Sequence, residues 1–123
     1  MQKKTIFLTL IASYLCYTIF LYYKGTDDTT QLTATEKTEV LKGKEIYQKY
    51  NCTSCHQLYG LGGYLGPELT TTYSNKMRGE NAIRSFLENG GPRMPNFHFS
   101  KKEIDQLVAF LKYVDASAIS YKQ

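Results

Sequence analysis

Tryptophan is absent, proline occurs three times, and the 123 residues hold only three cysteines and two histidines. Each shortage removes a class of protein. A structural zinc site wants four ligands, usually two cysteine or histidine pairs. Outside the stretch Cys52-Thr53-Ser54-Cys55-His56, only Cys16 and His98 remain, and Cys16 lies inside an apolar run. A thioredoxin-like dithiol needs a βαβ setting, and alternating strand patterns are scarce. Excess positive charge is missing too. Three of the fifteen basic residues, Lys3, Lys4 and Lys24, flank the apolar N-terminal run, which leaves twelve against eleven acidic side chains. A nucleic-acid binder would carry a basic surplus on its folded part, so that class is set aside. There is no internal repeat.

What is present centres on Cys52-Thr53-Ser54-Cys55-His56. Two thiols one helical turn apart can each add to a vinyl group of a porphyrin, and the next residue then falls beneath the iron. His56 is the candidate proximal ligand, and Cys52 and Cys55 are the candidate thioether attachments of one covalent haem c. A chain this short has a marginal core by area alone, so a cofactor buried as part of that core fits its size. Eleven tyrosines and six phenylalanines supply flat apolar surface to line it.

Ile6 to Tyr23 contains no charge and is bounded by lysines. Its 18 residues span about 27 Å as a helix, close to the thickness of the hydrocarbon layer. Tyr22 and Tyr23 lie where interfacial aromatics belong, and the N-terminal lysines predict an inside N-terminus. A cleaved secretory signal is the competing reading, but the run ends in bulky residues and no Ala-x-Ala pattern follows. In either case the remainder is expected outside the cytoplasm. Residues 1–24 therefore read as a single-pass anchor, 25–35 as a polar tether with a reach of about 17 Å, and 36–123 as the folded domain.

Within that domain, Val40, Gly43, Ile46, Tyr47 and Tyr50 repeat at helical spacing, with Thr35 as the expected N-cap. Gly43 costs about 1 kcal/mol inside a helix, which predicts a close helix crossing there. Four glycines and Pro67 exclude regular structure from Leu58 to Leu69. A carbonyl in this loop, with that of Pro67 the natural candidate, can accept the remaining ring N–H of His56 and fix its tautomer. Residues 80–89 read as a short helix with Ile83, Phe86 and Leu87 inward, stopped by Gly90-Gly91-Pro92. Pro95 biases Met94 to extended backbone, and Met94 is the candidate distal ligand, with His98 as its rival; Met77 lies in a polar, exposed stretch. Arg93 is a candidate partner for a haem propionate. Ser100 and Glu103 form a capping box, opening a helix whose apolar face holds Ile104, Leu107, Val108, Phe110, Leu111 and Val114. Residues 115–123 read as a fraying tail.

The order of these parts resembles a class I cytochrome c over roughly residues 38–115. Gly43 and Tyr47, with Leu107 and Phe110, match that family's helix crossing; Cys52, Cys55 and His56 match its haem motif, Pro67 its loop proline and Met94 its distal ligand. The anchor, the tether and the run Gly60-x-Gly62-Gly63-Tyr64-x-x-Pro67-Glu68-Leu69-Thr70 before Arg93-Met94-Pro95 are more specifically similar to the small cytochrome c component of bacterial nitric oxide reductase. The chain departs from that pattern in its shortness, its lack of tryptophan and Gly66 where alanine is common. The resemblance implies an all-α fold: one N-terminal transmembrane helix and a cytochrome c-like helical domain around one covalent haem, with Tyr64 and Arg93 as candidate haem contacts. It also implies a location in the inner (cytoplasmic) membrane with the haem domain on the periplasmic side. The implied partners are a large multi-spanning catalytic membrane subunit and a soluble donor, either a small cytochrome c or a copper protein. In that family the small component transfers electrons and does no chemistry of its own. Two other readings stay open: a haem c electron carrier within a haem–copper oxygen reductase, and a haem-based gas sensor or peroxidase.

Overall fold

A computed structural model describes residues 2–25 and 30–118. Helix α1 runs from Gln2 to Gly25, and its span Lys3–Lys24 has a mean hydropathy of 1.8 with none of its surface buried. At 1.5 Å per residue it is long enough to cross a membrane. Its hydroxyls are turned back on their own helix, as where Thr9 Oγ1 donates to the Thr5 carbonyl at 2.9 Å and Thr18 Oγ1 to that of Tyr14 at 2.9 Å. Such pairing lets Thr side chains lie against an apolar medium without an unpaired donor.

Helix α2 spans Ala34–Lys49. It begins one residue after Thr33, not after Thr35 as the sequence suggests. The reason is a second capping box: Thr33 Oγ1 accepts from the Glu36 N–H at 3.3 Å, while Glu36 Oε2 accepts from the Thr33 N–H at 2.9 Å. Leu32 already packs against the core. Of the expected tether, residues 26–29 lie outside the described residues.

Asn51 ends α2 in the left-handed region, with φ of 50°, a conformation that asparagine tolerates better than most side chains. The turn delivers the chain into a short 3₁₀ turn, Cys52–Ser54. Regular pairing follows where none is expected: β1 (Gln57–Leu58) pairs antiparallel with β2 (Leu61–Gly62). Tyr59 and Gly60, both at positive φ, make the two-residue connection that such a hairpin favours. Helix α3 covers Gly79–Asn89. Ile83 is buried and Leu87 partly so, but Phe86 is 52 % exposed, contrary to its expected inward place. One residue rotates a helical side chain by about 100°, which carries Phe86 off the stripe and over the backbone of Gly91.

Helix α4, Lys101–Ser117, opens on the Ser100–Glu103 box and crosses α2 to make the core. Ile104, Leu107, Val108, Phe110, Leu111 and Val114 are all buried, as their spacing predicts. At the crossing, a Cβ on Gly43 would collide with the Gln106 carbonyl. Next to it the Tyr47 and Phe110 rings meet at 5.4 Å, and Gln106 Nε2 donates to Glu39 Oε2 at 2.8 Å. The expected fraying is not found at residues 115–118. Asp115 is buried and accepts from the Ser74 N–H at 2.8 Å, and Ala118 is buried; residues 119–123 lie outside the described residues. Arg84 ties α3 to α4 by donating to Glu80 at 2.8 Å and to Asp105 at 2.6 Å.

Candidate haem-binding site

The last turn of α2 and the 3₁₀ turn place Cys52, Cys55 and His56 on one compact corner. The Cys55 and His56 N–H groups both bond to the Cys52 carbonyl, at 3.2 and 2.9 Å. The following loop folds back over this corner. Gly63 N–H donates to the Thr53 carbonyl at 2.9 Å, Gly66 N–H to that of Cys55 at 2.8 Å, and Leu69 N–H to that of Gln57 at 2.9 Å. Three rungs thus hold the glycine-rich segment against the motif.

His56 Nδ1 lies 2.8 Å from the Pro67 carbonyl oxygen. A carbonyl can only accept, so Nδ1 carries the proton and Nε2 keeps its lone pair for a metal. The other side of the imidazole is pressed by Gly66, where a Cβ would overlap Cε1 and Nδ1 of the ring. A side chain there would require the ring or the loop to shift.

Cys52 is half-buried, and burial pushes its thiol up to about 11. A thiol used for dithiol exchange is shifted the opposite way, toward the thiolate. Among the described residues no three Cys, His, Asp or Glu side chains are grouped so as to hold a metal ion. The corner thus offers two thiols separated by two residues and an imidazole whose Nε2 keeps its lone pair, a donor set that fits a covalently held haem. Tyr47 adds a second sign of fit. It is only 4 % exposed, and its hydroxyl has no hydrogen-bond partner among the described residues. Burial first, then the neighbouring Cys52 and Glu68, raise its pKa. Leu61, Tyr64 and Leu65 stand 76, 87 and 68 % exposed beside the motif, apolar surface that a flat ligand or partner would cover.

The other candidates lie on later segments of the chain. Met94 is half-buried in a tight turn, donating its N–H to the Gly91 carbonyl at 3.2 Å and accepting from the Gly91 N–H at 2.8 Å. Arg93 is exposed, as is His98, which sits at φ of 55°. Met77 is 94 % exposed. Glu68 and Thr70, seen in the sequence only as part of the family run, form a cluster with Tyr59. Thr70 is fully buried, its hydroxyl accepts the Tyr59 N–H at 2.6 Å and donates to Glu68 Oε1, and Glu68 Oε1 also accepts the Thr70 N–H at 3.0 Å. The available signal is Glu-x-Thr directly after Pro67, a spacing that lets a carboxylate bond a hydroxyl and an N–H two residues on.

Comparison with known proteins agrees with this geometry. The family model described as cytochrome c oxidase, cbb3-type, subunit III, matches residues 38–111. The nitric oxide reductase C subunit of Stutzerimonas stutzeri is 32 % identical over 111 residues, covering 76 % of this chain and 75 % of that protein. Its counterpart in Halomonas halodenitrificans is 31 % identical over 88 residues, with 62 % of this chain and 59 % of the relative covered. The counterpart in Cereibacter sphaeroides is 30 % identical over 90 residues, with coverages of 63 and 60 %. A family model across most of the folded domain, and a relative aligned over three quarters of both chains, lead to one conclusion: the chain belongs to the membrane-anchored cytochrome c family that includes the nitric oxide reductase C subunit.

Proposed function

We propose that the chain is the haem c electron-transfer subunit of a membrane-bound nitric oxide reductase. It takes electrons from a soluble donor, a small cytochrome c or a copper protein, and delivers them to a large catalytic membrane subunit. The observation that carries this reading is the 2.8 Å bond from His56 Nδ1 to the Pro67 carbonyl, beside two cysteines at attachment spacing. One haem c, when bound, supplies a one-electron couple. The residues of the chain do the rest. Cys52 and Cys55 would hold the macrocycle covalently, and His56, through Nε2, and Met94 would ligate its iron. Pro67 orients the imidazole, and Arg93 and Tyr64 flank the group. With both ligands supplied by the chain, the iron would be saturated and would serve electron transfer rather than substrate binding.

The surface beside the motif suits fast, transient contact. From Tyr50 to Pro67 there is no lysine, arginine, aspartate or glutamate. An uncharged surface costs little to desolvate when a donor docks and leaves again. The anchor sets the domain on the periplasmic side, since the lysines at its N-terminus favour the cytoplasm.

The decisive experiment is purification of the complex from membranes. The denatured small subunit should weigh more than its amino acids by one haem, and Met94→Ala should remove the sulfur-to-iron band of the ferric state and most of the turnover. A polypeptide with no added mass would end this reading. Unchanged turnover in Met94→Ala would overturn the Met94 assignment. A second reading is favoured by the family description, in which the partner is an oxygen reductase. Elemental analysis separates them: non-haem iron in the large subunit supports the nitric oxide reductase, and copper supports the oxygen reductase.

A further inference from the structure

The loop that carries Pro67 is fixed by a residue that has no direct contact with His56, Thr70. Thr70 and Leu107 are the two largest side chains with under 2 % exposure, and Thr70 is the polar one. Burying a hydroxyl is unfavourable unless both its donor and its acceptor capacity are met. Here both are: the hydroxyl accepts the Tyr59 N–H at 2.6 Å and donates to Glu68 Oε1. The same carboxylate oxygen accepts the Thr70 N–H at 3.0 Å, and the Glu68 carbonyl accepts from Thr72 Oγ1 at 2.9 Å. Glu68 is therefore held from its side chain and from its backbone at once.

The consequence reaches His56 through one peptide plane. The pyrrolidine ring fixes φ of Pro67, so the direction of its carbonyl depends on where the Pro67–Glu68 peptide lies. That is set by the position of Glu68. The far end of the network is anchored too. Tyr59 sits at φ of 53°, a region unfavourable for a bulky side chain, and its hydroxyl bonds to Ser117 Oγ at 2.7 Å and to the Val114 carbonyl at 3.3 Å. A continuous line thus runs from the end of α4 through Tyr59, Thr70, Glu68 and Pro67 to the proximal imidazole.

We infer that Thr70, acting through Glu68, is a positioning residue that aims the Pro67 carbonyl at His56 and so sets the reduction potential of the haem. A well-aimed carbonyl polarises Nδ1–H and makes the imidazole a stronger donor, which favours ferric iron. Releasing the brace weakens that donor and raises the potential. The inference rests on His56 being an iron ligand, as proposed above.

The test uses the complex purified from membranes, with the c-type haem titrated spectroelectrochemically. Thr70→Val keeps the shape and removes the hydroxyl; Thr70→Ser keeps the hydroxyl. Loss of an outer-shell partner typically costs at least about tenfold. At a fixed applied potential, Thr70→Val should therefore raise the ferrous-to-ferric ratio about tenfold, an upward shift of about 59 mV for one electron. Thr70→Ser should titrate with the unaltered protein. Hydrogen exchange at the Tyr59 amide should accelerate in Thr70→Val only. Should Thr70→Val fail to accumulate, Glu68→Ala releases the same carbonyl from a half-buried position and carries the same expected rise. Full haem content with an unchanged potential in either variant overturns the inference, as does a shift in Thr70→Ser equal to that in Thr70→Val. A polypeptide that carries no haem even before substitution overturns the parent reading instead, so the two failures look different.

Discussion

Gly66 shows how much a single missing methyl can decide. The ring of His56 rests against its backbone with no space for a Cβ, while Gly66 N–H holds the Cys55 carbonyl at 2.8 Å from the other direction. Gly66→Ala must move either the ring or the loop. We expect it to retain the fold and to lower the yield of haem-loaded protein severalfold, measured as haem absorbance per polypeptide. Substitution at exposed Met77 should leave that ratio near its starting value, because no close packing holds it. Cys52, Cys55, His56 and Pro67 are legible as candidate site residues from spacing alone. Gly66 is visible only as a departure from a family pattern, and its reason is a contact with a ring well back along the chain that no local rule contains. Thr70 appears in that pattern without a role, because burial of a hydroxyl cannot be seen until the chain closes around it.

At the scale of elements, the core depends on α2 meeting α4 without a side chain between them. Gly43→Ala places its methyl into the Gln106 carbonyl, and overpacking of this kind costs about 1–3 kcal/mol. Denaturant unfolding of the haem-loaded protein should show that loss, even though alanine is the better helix former. The two capping boxes give a pH signature. Hydrogen bonds from Ser100, through backbone and side chain, hold the Glu103 carboxyl below the usual carboxylate range, and those from Thr33 do the same for Glu36. A carboxyl depressed in the folded state stabilises it above the ordinary carboxylate pKa, and that contribution fades as pH falls through the lower folded value. Stability should therefore fall with acidification below about pH 4.5, and Glu103→Gln should flatten the fall, as read from melting temperature against pH. Ser100→Ala should cost about 1 kcal/mol at neutral pH. Helix faces and the Ser100 box are legible because both are local patterns. The start of α2 is not, because Thr33 and Thr35 are equal as caps until Glu36 chooses between them. Phe86 escapes the helical pattern because Gly91, without a side chain, offers it a resting place outside the stripe.

The whole molecule couples an apolar helix to a haem-binding domain through very little chain. Thr30, Leu32 and Thr35 line a groove with Val40, Ala109 and Tyr113 between the start of α2 and the end of α4. The segment next to α2 is thus part of the domain, which the polar composition of residues 25–35 conceals. Lengthening the connection between Gly25 and Thr30 by about twenty flexible Gly/Ser residues should leave the haem spectrum and potential unchanged. It should slow electron delivery to the catalytic subunit severalfold, since effective concentration falls with linker length. Stopped-flow reduction of the complex would measure it.

From Gly25 to Thr30 there are five Cα steps, at most about 18 Å when stretched. A head on so brief a leash finds its acceptor by turning rather than by wandering. Supply from head to acceptor should then keep the same pace when enzyme and donor are diluted together, whereas supply from the soluble donor should slacken in proportion.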